Sequence, residues 1–196
     1  MPLLCRSLPQ VLCSRLFRSS TKNRLALQAR NVPVMGLFQS NTASPGAAEE
    51  WRSRLITRPS DAIKIAGEAK SVAVLGIAPE TRADRPAHYV AKSLQAAGVK
   101  IIPVPVYYPD VKEILGEKVI RRLQDVPQPV DILDVFRRAE DLAGHLDDIL
   151  EIKPKVVWLQ SGISDRQFEE GIAKAGITVV ADRCLMVDHD RATARL

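Results

Sequence analysis

Five short apolar runs recur along this 196-residue chain, and their character and spacing limit its fold more than any other feature. They are Ser71–Gly76 (SVAVLG), Lys100–Pro105 (KIIPVP), Asp131–Phe136 (DILDVF), Lys155–Gln160 (KVVWLQ) and Ile177–Asp182 (ITVVAD). Each has the length of a strand, is rich in β-branched residues and is nearly continuously apolar, the pattern of a strand buried on both faces. Helix-period segments lie between them at Pro86–Ala97, Ala139–Ile152 and Ser164–Ala175. Pro86 suits a first helical turn, Gly98 and Gly176 suit helix ends, and Ser164 is the expected N-cap of the last segment. Ahead of the first run, Arg58-Pro59-Ser60-Asp61 opens a short helix through Ala62, Ile63, Ile65 and Ala66 that ends near Gly67 to Lys70. The crossover Tyr107–Gln128, broken by Pro109, Gly116 and Pro127, is expected to hold a short helical turn. Alternating β and α segments predict an α/β fold, a doubly wound and mainly five-stranded parallel sheet with helices on both faces.

The charge is distributed unevenly. The chain carries a net +5, but residues 1–48 hold Arg6, Arg15, Arg18, Lys22, Arg24 and Arg30 with no Asp or Glu, so the remaining 148 residues sum to −1. A near-neutral body lacks the basic field that binds nucleic acid. No run approaches the ~18 to 20 apolar residues of a membrane-spanning helix. The leader is acid-free and Ser-rich, and Leu8, Leu12, Arg15, Leu16 and Ser19 form an apolar stripe flanked by basic residues at helical spacing. Its composition is that of a transit peptide, with the mitochondrial matrix the expected address and a plastid the alternative. Arg6, Pro9, Gln10 and Arg15 break the compact apolar core of a secretory signal. Residues 39–50 read as a linker, giving a disordered transit peptide and linker over 1–48 and one folded domain over 49–196.

Cys5 and Cys13 lie in the leader, so the body holds only Cys184 and has no internal disulfide to form. One Cys with scattered His88, His145 and His189 shows no metal-ligand spacing, and no metal is expected.

In an open parallel sheet a ligand sits beyond the carboxyl ends of the strands, where the strand order reverses. The loop after the first run, Val72–Pro86, carries Gly76 where the backbone would approach a phosphate. Ala78 and Pro79 replace the further glycines of a dinucleotide fingerprint, and the second run ends in Pro103-Val104-Pro105 without the acid that binds a ribose hydroxyl. An NAD-dependent dehydrogenase is disfavoured on both counts.

The segments VAVLGIAP, DRPAHYVAKSL, IIPVP, ILGEK, DILDVFRRAE, VVWLQSGI and VVADRCLMVDHDR, in this order, resemble the small stand-alone CoA-binding protein family. Its Rossmann-like domain is similar to the CoA-binding domain of the succinyl-CoA synthetase α subunit. The likeness spans about Arg58 to Leu196. The chain departs from the family pattern at Ile77-Ala78-Pro79, where Ser or Asn is usual near the glycine, and at Val104-Pro105, where Asn-Pro is usual. The resemblance implies coenzyme A or an acyl-CoA as ligand. A diphosphate and a 3′-phosphate need backbone amides and guanidiniums, and adenine needs an apolar slot. On this reading Gly76, Ile77 and Ala78 offer loop amides, Arg85 is the phosphate candidate, and Pro103 and Val104 form an adenine wall. Val135, Phe136 and Arg137 face the cofactor, and strand alternation turns Gln160 toward the mouth. By residue type alone Arg85 fits a solvated loop arginine and Phe136 a core residue equally well.

Asp182-Arg183-Cys184, with Asp188 and His189 close behind, invites a nucleophilic reading in which Cys184 acts on a thioester. The duller reading is an Asp182–Arg183 ion pair and a half-buried thiol. The expected function is therefore a non-catalytic module that binds CoA. The alternatives are a CoA-linked transferase or hydrolase using Cys184, an oxidoreductase with an atypical NAD(P) site, and an interaction subunit that has lost its ligand and binds a protein partner.

Overall fold

The structure, a computed structural model, describes residues 50–194; the leader and most of the linker lie outside these residues. After a 3-10 turn over Glu50–Arg54 come strand β1 (Leu55–Ile56), helix α1 (Pro59–Glu68), β2 (Ser71–Leu75), α2 (Pro86–Ala96) and β3 (Lys100–Val104). A small hairpin of β4 (Glu113–Ile114) and β5 (Glu117–Lys118) precedes β6 (Ile132–Val135), α3 (Leu146–Ile152), β7 (Val156–Leu159), α4 (Arg166–Lys174), β8 (Thr178–Val180) and α5 (Leu185–Thr193). The main sheet has the order β1-β8-β7-β6-β2-β3, and every neighbouring pair is parallel.

All five predicted runs form strands, each shorter than its run by a residue or more. The sheet gains a sixth strand because the two residues of β1, too short to register as an apolar run, pair with β8 at the edge. Alternation along the strands divides the core in two. Leu75, Leu133, Val135, Val157 and Leu159 face Ile149 of α3 and Phe168 and Ile172 of α4. Val74, Ile132, Trp158 and Val180 face Ala62 and Ala66 of α1, Ala91 and Leu94 of α2 and Leu185 of α5. A strand with a helix layer on each side has no solvent face, which is why the runs show no polar alternation.

The segment Ala139–Ile152 is not one helix. It runs as a 3-10 turn over Ala139–His145 and becomes α-helical only at Leu146. Gly144 is a poor helix former, whereas Asp147 and Asp148 favour the start of a helix by facing its positive end. In α4 the cap is Asp165 rather than Ser164: Phe168 N–H donates to Asp165 Oδ1 at 2.7 Å, and the Ser164 hydroxyl donates to Glu169. The crossover holds the expected turn at Leu123–Asp125 but also the hairpin. Leu115 and Gly116 both take positive φ (56° and 74°), the conformation of a tight two-residue hairpin turn. The strained Leu115 is pinned from both sides, donating its N–H to Glu80 Oε1 at 2.6 Å and accepting from Gln95 Nε2 at 2.9 Å. The hairpin lies along the free edge of β3, where Ile120 N–H donates to Pro103 O at 2.8 Å.

The carboxyl-terminal helix α5 had no clear sequence signal. It is docked by a close approach: a Cβ built on Gly67 of α1 would lie 2.5 Å from Ala192 Cβ, so only glycine lets the two helices meet at this distance. At the start of α5, Arg183 pairs with Asp188 through two bonds of 2.6 and 2.7 Å, and the indole N–H of Trp158 donates to Arg183 O at 2.8 Å. Asp188 therefore replaces Asp182 as the partner of Arg183. Asp182, at positive φ, instead accepts the Gly162 N–H at 2.7 Å. Among the described residues no helix is long and apolar enough to cross a membrane, and no group of His, Cys, Asp and Glu is placed to hold a metal.

Candidate functional site

The strand order reverses at β2. The chain leaves it for β3 on one side and returns to β6 on the other. The crevice between the carboxyl ends of β2 and β6 is the place such a sheet offers a ligand. Here the ends of β2 and β6 touch, Phe136 N–H donating to Leu75 O at 2.9 Å, while Gly76 N–H donates to Val104 O at 2.8 Å and so ties the end of β2 to β3 on its other side. Gly76 has φ 89°, and a Cβ on it would sit 2.6 Å from Phe136 O and 3.4 Å from Arg137 Cδ. Its glycine is required both by the left-handed backbone and by the approach of the second strand end.

A cleft of about 620 Å³ opens at this point, lined by Gly76, Ala78, Arg85, Pro86, Ala87, Tyr107, Tyr108, Phe136, Arg137, Arg138, Ala139, Glu140, Gly162 and Ile163. The loop after Gly76 leads to the first turn of α2, and His88 Nδ1–H donates to Ala78 O at 3.0 Å, holding that loop against the helix. The carbonyl only accepts, which places the proton on Nδ1.

Three guanidiniums face this cleft in different states. Arg85 sits at the N-cap of α2, exposed and 3.9 Å from Asp84. Arg138 is exposed and pairs with Glu140 at 3.2 Å, which holds its guanidinium above the ordinary range. Arg137 differs from both, with its side chain only 9% exposed. Its Nη2 donates to Asp141 Oδ2 at 2.8 Å, and the guanidinium lies over the Tyr107 ring, 5.1 Å from the centroid. Its Nε is buried with no hydrogen-bond partner. A buried donor without an acceptor costs about 1–3 kcal/mol.

The arrangement brings Gly76, Ala78, Arg85, Phe136 and Arg137 together. The other expected residues lie elsewhere. The Ile77 side chain is fully buried among α1, α2 and α5, so only its backbone amide remains for the loop role expected of it, and Val135 is in the opposite half of the core. Pro103 is buried within β3, paired in register with Val74. Val104 lines a neighbouring cleft of about 660 Å³, with Pro105, Arg121, Arg122 and His145. Burial and the Arg137 charge hold the His145 imidazole below its usual pKa. Gln160 does not point to the mouth. It is 4% exposed, and its Nε2 donates to both carboxylate oxygens of Asp134 at 2.8 and 3.0 Å. Burial pushes the Asp134 carboxyl up to about 7, against the Gln160 and Val135 hydrogen bonds that lower it.

Tyr107 and Tyr108 were missed because their loop has no periodicity. Their position depends on Arg121, which donates to Tyr108 O at 3.2 Å, to Pro109 O at 3.0 Å and also to Val111 O. Cys184 lies in a third cleft with Ser161, Asp182, Arg183 and Asp188. Both Asp188 oxygens are taken by Arg183, and among the described residues no hydrogen bond joins Cys184 to His189.

Residues 70–190 match the CoA binding domain family. The chain is 37% identical over 126 residues to the uncharacterized protein YneT of Bacillus subtilis, covering 64% of this chain and 90% of that one. It also resembles the structure of cell-free ID.343 from Thermus thermophilus, with 43% identity, a TM-score of 0.62 and coverage of 69% and 99% of the two chains. A hypothetical protein from Pyrococcus horikoshii OT3 has 28% identity, a TM-score of 0.61 and coverage of 70% and 93%. These relatives come from bacteria and archaea, cells without mitochondria or plastids. That finding corrects the expected matrix address and its plastid alternative. The transit-peptide reading of residues 1–48 falls outside the described residues and loses its support with the address. By the match over most of its body, the chain belongs to the CoA binding domain family.

Proposed function

We propose that this protein binds coenzyme A or an acyl-CoA in the cleft between the ends of β2 and β6, as a binding module without catalysis of its own. The observation that carries this reading is Arg137, a nearly buried cation whose Nε lacks an acceptor, beside a glycine whose missing Cβ keeps the strand ends together. A diphosphate supplies that acceptor, and planar guanidiniums take phosphate oxygens in pairs. In this reading Arg137 and Arg85 hold the diphosphate, assisted by amides of the Gly76–Ala78 loop and the first turn of α2. Phe136 and Tyr107 offer apolar and aromatic surface to the rest of the molecule.

The non-catalytic part rests on the separation of Cys184, the one thiol among the described residues, from this cleft. Cys184 lines a different depression, and its neighbour Asp188 is committed to Arg183. A nucleophile needs a base in reach and a group that orients the base.

Titration calorimetry on the full chain under reducing conditions tests the proposal with CoA, dephospho-CoA, acetyl-CoA and NAD. Micromolar CoA binding, about −8 kcal/mol, with weaker dephospho-CoA and no heat with NAD, is the expected result. Absence of binding by either CoA or acetyl-CoA overturns the reading, and consumption of acetyl-CoA that depends on Cys184 overturns its non-catalytic part.

A further inference from the structure

The contacts of Arg137 carry an inference that rests on the proposed ligand and adds a control element to its site. A guanidinium presents a side-on edge made of Nε–H and one Nη–H, spaced to match two oxygens of a carboxylate or phosphate. In Arg137 one donor of this edge, Nη2, reaches a single oxygen of Asp141 at 2.8 Å, while Nε has no partner. Asp141 thus neutralises the charge yet satisfies only half of the fork. Elsewhere the same chain shows a complete fork: Arg183 meets both oxygens of Asp188, at 2.6 and 2.7 Å. The two carboxylates also differ in exposure, Asp188 at 2% and Asp141 at 35%. Arg183–Asp188 is built as a permanent brace, whereas the Asp141 carboxylate, one residue beyond the cleft-lining Glu140, is partly exposed and has room to turn into water.

We propose that Asp141 is an internal stand-in for the ligand's diphosphate, neutralising Arg137 while the cleft is empty and displaced when a diphosphate takes the Nε–Nη2 edge. The buried cation is then never without a counter-charge, which would cost more than its half-made bond. The Tyr107 ring, whose centroid lies 5.1 Å from the guanidinium carbon, gives Arg137 a cation–π contact that persists while its other partners exchange. The carboxylate also sets a threshold, because a ligand has to bring more than one negative charge to gain from the exchange. Nucleosides and singly charged anions are rejected on this basis, and diphosphates are accepted.

The test is Asp141→Asn in the full chain, titrated beside the wild type with CoA and with inorganic pyrophosphate. Removing the competing charge is expected to tighten both ligands by roughly 3- to 10-fold. Wild-type protein that binds CoA, with D141N binding it equally or more weakly, overturns the stand-in role while leaving the CoA reading intact. D141N tightening on pyrophosphate while neither protein binds CoA supports the stand-in and overturns the CoA reading. Loss of both ligands in both proteins overturns the two together. A second measurement is independent of the folding of D141N. The Arg137 Nε–H resonance of the wild type, assigned by its loss in Arg137→Lys, is expected to move downfield on addition of pyrophosphate, and an unmoved resonance overturns the proposal.

Discussion

The two ends of strand β6 carry opposite charges in opposite states of satisfaction. At the amino end, Asp131 accepts the N–H groups of Lys70 and Ser71 at 3.0 and 3.1 Å and the Ser71 hydroxyl at 3.2 Å, and Lys155 Nζ lies 2.6 Å from its other oxygen. At the carboxyl end, Arg137 has one ion-pair bond and an unpartnered Nε. Asp131 ties β6 to Lys70 and Ser71 at the start of β2, whereas Arg137 is held only by Asp141 and the Tyr107 ring, so the difference lies in the partners. A saturated charge closes an end of the sheet and stabilises it. An unsaturated one is the mark of a place reserved for something else.

This contrast can be broken at either end. Arg137→Ala is expected to weaken CoA binding by about 100-fold, the loss of a charge-assisted pair in a shielded site, with little change in the midpoint of urea unfolding. A stability loss comparable to the affinity loss would make Arg137 a structural residue like Asp131. At the other end, Asp131→Ala should cost about 2 to 3 kcal/mol in urea unfolding, since it strands two N–H groups and Lys155, while CoA affinity measured by calorimetry stays within twofold. Burial raises the Asp131 pKa, but the Lys155 bond and the Lys70 and Ser71 N–H groups outweigh it and hold the carboxyl below its ordinary value. Its contribution is thus present above the unfolded pKa and disappears as the pH falls through the folded one.

Asp134 sharpens the contrast from inside the strand. Its folded pKa is raised to about 7, so between about pH 4 and 7 the unfolded chain ionises this carboxyl and the folded chain does not. Stability is therefore lost as pH rises through that window, and the loss stops above it. Asp134→Asn, which keeps an amide partner for Gln160, should remove this dependence. The stability difference between variant and wild type, followed by urea unfolding at several pH values, is expected to grow from pH 4 to 7 by up to a few kcal/mol and then level off. A difference that stays flat would mean that Asp134 is ionised in the folded protein. The smallest effect belongs to Cys184→Ser, expected to change stability by less than about 1 kcal/mol and to leave CoA binding unaltered by calorimetry.

The sheet was legible because strands covered on both faces have to be continuously apolar, and Ser71–Leu75 or Val156–Leu159 cannot be mistaken for polar-faced strands. β1 was not, because two residues hold no pattern, and α5 was not, because its docking depends on Gly67 meeting Ala192, a contact between distant segments. The site divides along the same physical line. Gly76 and Arg137 sit where the chain must turn at a strand end, and their position follows from the strand itself. Ile77 and Gln160 also follow strand ends, yet which way each side chain turns is decided by the neighbouring layer: Ile77 enters the core, and Gln160 turns to Asp134. Tyr107 reaches the cleft only because Arg121 gathers the carbonyls of its loop, an arrangement without a local sequence signature.

The hairpin over β3 has a consequence beyond the site. The free edge of a sheet is a template for a foreign strand, and long unprotected edges lead to aggregation. Here Pro103 withholds an N–H from the edge, and its carbonyl is already taken by Ile120 beside the β4–β5 hairpin. The protein can present a cleft at the end of its central strands without offering the β3 edge beside it to other chains.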